Sequence, residues 1–132
     1  MKKMLLLFCI CCLCFSLFAC QNPQDGEITK KSVVGNYIWE KEGFGGPFNI
    51  HHKADGSCTY YVGYLSSHIG AGTWSLENGV ITIREKMESS ENIFHFRAEK
   101  DALIFIKENS DRFLHITVED GDKFKRSASK AD

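Results

Sequence analysis

The chain has 132 residues, of which 43% are hydrophobic and 25% are charged, and its formal net charge is −1 at pH 7. This length is that of one ordinary domain, and the composition is that of a globular protein. The nearly neutral charge argues against nucleic acid as a partner, because a nucleic-acid-binding domain carries a basic face.

A short basic head and an apolar run open the chain. Lys2 and Lys3 precede residues 4–19, which are apolar except for Ser16. A membrane-spanning helix needs about 20 residues, so this run is short for a span. The pattern is instead that of a secretory signal peptide.

The end of this run carries a recognisable motif. Leu17, Ala19 and Cys20 resemble the lipobox of bacterial lipoproteins, in which Leu, a small residue and Ala or Gly precede a cysteine; here Phe18 replaces the small residue. In that family the thiol receives a diacylglyceryl group and a peptidase cuts before the cysteine. The resemblance implies cleavage after Ala19 and lipid attachment at Cys20. It also implies a bacterial cell-envelope location, anchored to a membrane and facing the periplasm or the exterior.

Four further cysteines lie inside the apolar run and form two interleaved C-x-x-C patterns, at positions 9, 11, 12 and 14. Their neighbours are Leu, Ile and Phe, without the polar surroundings that metal-binding thiols require. We interpret them as small hydrophobic residues of a discarded segment. Removal of residues 1–19 leaves 14 basic and 17 acidic residues, and Cys58 as the one thiol besides Cys20. The mature chain is thus mildly acidic and offers no polybasic patch for anionic lipids.

The composition divides the chain into four parts. Residues 1–19 form the signal peptide, 20–32 the lipidated N-terminus and a flexible tether, 33–126 a β-domain, and 127–132 a disordered tail. The polar segment 21–31 contains Pro and Gly and has no apolar periodicity. A flexible chain of this length has a root-mean-square reach of about 18 Å.

Within the β-domain, short aromatic and β-branched runs are separated by the turn dipeptides Asp55-Gly56, Asn78-Gly79 and Asp120-Gly121. Such dipeptides favour tight hairpins. Alternation of apolar and polar residues predicts strands near 34–40, 48–53, 57–64, 71–76, 80–86, 93–99, 102–107, 112–118 and 122–126. The apolar run 102–107 is typical of a strand covered on both faces, and 84–92 is interpreted as a strand end followed by a hairpin loop.

About eight or nine short strands in sequential hairpins predict an all-β fold, a small antiparallel meander. Closure into a barrel would remove the exposed strand edges that invite aggregation. Strands this short and the seven phenylalanines after residue 20 favour an interior filled by side chains. A pocket for a small apolar ligand stays open as the alternative, since eight-stranded barrels lie at that threshold.

The segments VVGNYIWEKEG, HKADGSCTYYVG and GTWSLENGVITI resemble small lipocalin-like domains of bacterial lipoproteins. In lipocalins an opening Trp packs under an Arg of the last strand. Here Tyr37 stands at the opening position and Trp39 lies two residues later on the same face. The resemblance implies Trp39 and Arg126 as the pair that closes the barrel, with Lys125 as a rival for Arg126.

No pattern predicts catalysis or metal binding. His51 and His52 are adjacent and point to opposite faces of a strand. His95 and His115 lie on predicted strands well separated in sequence; a shared site stays open, but a single strand histidine is more often a surface or hydrogen-bonded residue. A nucleophile needs a base and an orienting group, which segment 66–68 lacks, and segment 43–47 lacks the Lys-Ser/Thr of a phosphate loop. Cys58 has no cationic neighbour to activate it. We therefore expect a protein that is not an enzyme and has no cofactor.

The sharper hypothesis concerns an aromatic rim. Tyr60 and Tyr61 point to opposite faces, so one of them faces solvent or an opening. Tyr61, Tyr64 and His68, together with Phe44 of the glycine-rich loop, form a candidate binding rim. Packing at a barrel end is the alternative interpretation of the same residues.

These features predict a monomeric, membrane-anchored envelope lipoprotein whose barrel is a non-catalytic binding module. Its partner would be an envelope protein. The alternatives are a carrier of a small apolar ligand and an inhibitor of an exported protease, for which segment 43–47 or the tether would enter the protease cleft.

Overall fold

The computed structural model describes residues 26–40, 46–63 and 67–128. These residues form a 3₁₀ helix, Lys31–Val33, and eight strands. The strands are β1 (Gly35–Trp39), β2 (Phe48–His52), β3 (Ser57–Val62), β4 (Ile69–Glu77), β5 (Val80–Lys86), β6 (Glu91–Glu99), β7 (Ala102–Ile106) and β8 (Lys123–Arg126).

Each strand pairs in antiparallel fashion with the next, and β8 pairs with β1. The closing register places Tyr37 opposite Arg126 and Ile38 opposite Lys125. The predicted all-β meander barrel is confirmed. The Asn78-Gly79 turn forms where it was predicted, between β4 and β5, and its two residues adopt φ values of 50° and 75°. Positive φ at both positions is the geometry that makes Asn-Gly favourable in two-residue hairpins.

The barrel has two unlike ends, which we call the base and the mouth. The 3₁₀ helix and the short connections 53–56, 78–79 and 100–101 lie at the base. The mouth bears the connections 40–47, 63–68 and 87–90, and the β7–β8 loop, residues 107–122. The connections at the base have at most four residues, and those at the mouth have four or more.

One predicted strand was wrong. Segment 112–118 belongs to the β7–β8 loop and contains no strand. His115 has a φ of 65°, which interrupts an extended chain. Ser110 and Asp111 hold the loop against β6: the Ile93 amide donates to Asp111 Oδ2 (2.7 Å), and the His95 amide donates to Ser110 Oγ (2.8 Å). These bonds hold the two residues just before segment 112–118 against β6, and the backbone of the segment itself is turned at His115.

The strand boundaries otherwise differ by a few residues from those predicted. The continuous apolar run of β7 is buried from Ala102 to Phe105, as expected for a strand covered on both faces. No helix in the described part of the chain has the length and hydropathy of a membrane span.

Candidate functional site

The interior of the barrel is filled by aromatic side chains. Phe94 and Phe113 stack with ring centroids 3.9 Å apart, and Phe48 meets Phe113 edge to face at 4.8 Å. Tyr60, Phe96 and Phe105 surround the same ring at 5.4–6.4 Å. Ring contacts of this kind stabilise the interior beyond the free energy that each ring gains by burying its apolar area. The centre of the barrel is therefore solid, which disfavours an internal ligand.

Phe113 reaches this interior from the β7–β8 loop and not from a strand. It is buried, while its neighbour Leu114 is 42% exposed. The ring enters through the mouth and lies between the walls formed by Phe48 and Phe94. The loop thus closes the mouth with one aromatic side chain.

A buried carboxylate lies near the Phe113 ring, which we call the plug of the mouth. Glu85 is only 3% exposed, and its Oε2 accepts hydrogen bonds from the Tyr60 hydroxyl (2.7 Å) and the Asn92 amide (3.1 Å). The Tyr60 ring crosses β4 to reach it, and a Cβ added at Gly70 would lie 2.1 Å from that ring. Glycine at position 70 therefore permits the contact between β3 and β5.

His68 lies beside the second oxygen of this carboxylate. Its Nε2 is 3.4 Å from Glu85 Oε1, and its ring meets that of Tyr60 at 6.2 Å. Burial and the charge of Glu85 raise the pKa of Tyr60. The Tyr60 hydroxyl accordingly remains a hydrogen-bond donor at neutral pH, which satisfies the buried acid.

The base is closed by a cation. The guanidinium of Arg126 lies 5.0 Å from the centroid of the Tyr37 ring, donates to the Val34 carbonyl (2.7 Å) and donates to the carbonyl of Ser32. It also donates to the Tyr37 hydroxyl (2.7 Å), which itself donates to the Val33 carbonyl. These bonds fasten the 3₁₀ helix to the last strand.

His52 lies under the same helix and is fully buried. Its Nδ1 is 3.4 Å from the Val33 carbonyl oxygen, and its ring stacks on Trp74 at 4.9 Å. Because a carbonyl only accepts, Nδ1 carries the proton. Among the described residues Nε2 has no hydrogen-bond partner. Burial lowers the pKa of His52 to about 4, so the ring is neutral at pH 7.

Beside the plug, a half-open cleft of about 850 Å³ lies at the mouth under the β7–β8 loop. Apolar side chains line part of it, and charged side chains line the rest. They include Trp39, Phe105, Phe113, Ile116 and Val118 on the apolar side and Lys107, Asp111, Arg112 and Glu119 on the charged side. The cleft favours the ligand-carrier alternative.

The outer wall of β1–β4 is almost free of charge. Outward residues of β2, β3 and β4 form a surface that we call the uncharged face. It consists of Asn49, His51, Ser57, Thr59, Tyr61, Ile69, Ala71 and Thr73. Tyr61 and Ile69 are opposite each other in the β3–β4 register and are 44% and 66% exposed. Of the two adjacent tyrosines, Tyr60 therefore faces inward and Tyr61 faces solvent.

The structure places the predicted site residues as follows. Cys20 and Ala19, and the rim residues Phe44 and Tyr64, lie outside the described residues. Tyr61 is on the outer wall, whereas His68 turns towards buried Glu85, so the two do not form one surface. Residues 43–45, on which the inhibitor hypothesis depended, also lie outside the described part of the chain.

The predicted closing pair requires a correction. Arg126 stacks on Tyr37, while Trp39 stacks on Phe124 at the other end of β1, with ring centroids 5.8 Å apart. Tyr37 and Arg126 are register partners across the β1–β8 seam, and Trp39 lies two residues nearer the mouth. Strand register therefore selects Tyr37 as the aromatic partner of Arg126.

Sequence reasoning missed Glu85, Asn92 and Phe113. Gly70 was the available signal for the Tyr60–Glu85 contact. A glycine inside a strand often marks the close approach of a neighbouring group, and here the Tyr60 ring passes over it to reach Glu85. Among the described residues no group of three or more His, Cys, Asp or Glu side chains could hold a metal ion. Burial and the charge of Glu85 raise the pKa of Cys58 to about 12, so its thiol is protonated and unreactive.

Comparison with protein-family models, curated proteins and solved structures found no match to this chain. Its function therefore has to be argued from its own residues.

Proposed function

We propose that the protein is a membrane-anchored lipoprotein of the bacterial cell envelope whose barrel is a non-catalytic, protein-binding module. The observation that carries the binding role is the uncharged face, with Tyr61 and Ile69 exposed side by side. Protein interfaces are depleted in charge at their centre and enriched in tyrosine. The anchor is supported by the lipobox-like Leu17–Cys20 segment.

The course of the chain supports the same assignment. Residues 26–30 lead into the 3₁₀ helix at the base, so the tether joins the barrel there. The wall and the mouth are then accessible to other envelope proteins above the membrane. The solid interior favours a surface role over transport of a small molecule.

Site-resolved photocrosslinking tests the binding role. A benzophenone amino acid at position 61 is expected to link the full-length protein in living cells to a defined partner. The same group at Thr82, outward on β5, is the matched control and should give no such product. Equal products from both positions, or none from position 61, would contradict the binding face.

The anchor has an independent test. Labelled palmitate should enter the wild-type protein and not Cys20→Ala, which should also leave the membrane fraction. Label retained in Cys20→Ala would show that the lipid, if any, is attached elsewhere.

A second candidate function rests on the cleft at the mouth. A carrier of a small apolar ligand would use this cleft and not the filled interior. Native mass spectrometry of the protein extracted from its own membranes should then show a bound small molecule. A mass equal to that of the acylated chain alone would eliminate the carrier.

A further inference from the structure

Charge is distributed unequally around the barrel. Strands β1–β4 contain one residue with a formal charge, Glu77, whereas β5–β8, of equal total length, contain nine. Glu77 ends β4 at the base. The nine are Arg84, Glu85, Lys86, Glu91, Arg97, Glu99, Lys123, Lys125 and Arg126, and of these Glu85 is buried.

Charged residues border the uncharged wall on both sides. Lys125 is paired with Ile38 across the β1–β8 seam, and Arg84 is paired with Thr73 across β4 and β5. Arg84 is itself bound to Glu91 at 3.1 Å. An uncharged centre with a charged border is the arrangement of a protein interface, since charges at the centre would have to be desolvated.

The closed barrel limits how another protein can attach. Every strand is hydrogen-bonded on both sides, because β8 pairs with β1. A partner therefore cannot add a strand at an edge. It must pack against the side chains of the wall.

We propose that the occupant of the uncharged face is a second copy of this chain, related by a two-fold axis; this rests on the proposed function as a binding module. In a two-fold interface the same patch meets itself. Outward threonine, asparagine, serine and tyrosine side chains both donate and accept hydrogen bonds, so such a patch is complementary to itself without opposing like charges. The proposed dimer differs from the monomer that the sequence predicts.

The size of the face fits an association that depends on the membrane. Its three strands, about 4.8 Å apart and roughly 20 Å long, give a footprint of about 300 Å². This is below the roughly 800 Å² per partner of a standard stable interface. The pair is thus weak between free molecules and forms when two copies are held close together.

A shared membrane supplies that proximity. The uncharged face runs along the side wall, and the tether enters at the base. A two-fold axis parallel to the barrel axis puts both tethers on the same side of the pair. Two anchored copies can then meet side by side, at the high effective concentration that tethering gives.

Cysteine crosslinking of the full-length protein in its own membranes tests this proposal. Thr59→Cys and Ala71→Cys lie on the uncharged face, and Thr82→Cys lies on the charged half of the barrel. A short bis-maleimide should convert the first two into a product of twice the monomer mass, and Thr82→Cys should stay monomeric. Wild type is the background control, since Cys58 is buried.

Charge complementation identifies a second copy specifically. In the Thr59→Cys background, Ala71→Lys alone or Ala71→Glu alone should reduce the dimer product at least about tenfold, because like charges then face each other. Coexpression of the Lys and Glu variants should restore it. Ala71 is exposed, so unchanged urea midpoints would verify that neither variant perturbs the fold.

The outcomes separate the two proposals. A crosslink from the face to a different protein would overturn the second copy and leave the binding module intact. The absence of any product from Thr59→Cys and Ala71→Cys would overturn the second copy, whereas the binding module is overturned only if the photocrosslinker at position 61 also gives no product. Products from Thr82→Cys in equal amount would show random collision and would also overturn the second copy.

Discussion

At the base of the barrel the guanidinium of Arg126 lies over Tyr37 and binds backbone carbonyls of the entering chain, whereas at the mouth the Phe113 ring lies between Phe48 and Phe94. Among the described residues, each end also buries one histidine or acidic side chain. At the base this is His52, and at the mouth it is Glu85.

These two buried groups differ in how they are satisfied. Glu85 accepts two hydrogen bonds and faces His68, so its charge is matched by polar partners. His52 has one hydrogen bond, to the Val33 carbonyl, and lies against the Tyr37 and Trp74 rings. Burial lowers the pKa of His52 to about 4, although the bond to the carbonyl favours the protonated ring. The comparison teaches that a buried polar group is satisfied by the number of its partners: Glu85 has several, whereas His52 Nε2 has none among the described residues.

Removal of the plug should have the largest effect. Phe113→Ala is expected to lower the free energy of unfolding by about 3–5 kcal/mol, the usual loss for a buried phenylalanine. Leu114→Ala, next to it and exposed, should cost less than about 0.5 kcal/mol. Urea denaturation followed by tryptophan fluorescence measures both. A loss similar to that of Leu114→Ala would mean that the mouth contributes little to the fold.

Acid should weaken the base. The pKa of His52 falls from 6.5 to about 4 on folding, so the unfolded chain binds the proton more readily. The resulting stability is complete above pH 6.5, declines as pH falls and is lost below about pH 4, a change of about 3 kcal/mol. His52→Phe removes this titration and keeps an aromatic ring at the same buried position. The difference in unfolding free energy between the two proteins should therefore vary with pH between 6.5 and 4; a constant difference would refute the assignment.

The sequence predicted the hairpins because their signals are local. Asn78-Gly79 and Asp55-Gly56 fix turns through backbone geometry, and residues adjacent to them take their register from the turn. Inward and outward positions then follow from alternation, as for Phe48 and Asn49. The same rule failed for segment 112–118, whose residue types suit a strand but whose backbone is turned at His115.

The site residues were harder to predict because they depend on distant pairs. Tyr60 and Glu85 are 25 residues apart and meet across an intervening strand. Alternation alone left open which of Tyr60 and Tyr61 faces inward, and it placed Tyr37 and Trp39 on the same face. Only the register of the β1–β8 seam decides which of these two rings Arg126 covers.

The contacts of Arg126 at the base should contribute less to the free energy of unfolding than the Phe113 plug at the mouth. Arg126→Ala is expected to cost about 2 kcal/mol, since it removes bonds to Val34 and Tyr37 and a cation–π contact at a site that is partly exposed to water. Arg126→Lys should recover part of this loss, because it keeps the charge but not the fork of donors. Lys125→Ala, outward on the same strand, is the control and should be nearly neutral. An effect as large as that of Phe113→Ala would reverse the proposed order of the two ends.

The smallest effect is expected from the charge at the mouth. Glu85→Gln keeps an oxygen that accepts from Tyr60 and Asn92 and removes the carboxylate charge beside His68, so it should cost about 1 kcal/mol. Glu85→Leu should cost more, because it leaves the buried Tyr60 hydroxyl and the partly buried Asn92 amide without their acceptor. Chemical denaturation at pH 7 compares the two variants. If Gln proved as harmful as Leu, the buried charge itself, and not hydrogen-bond satisfaction, would hold the mouth together.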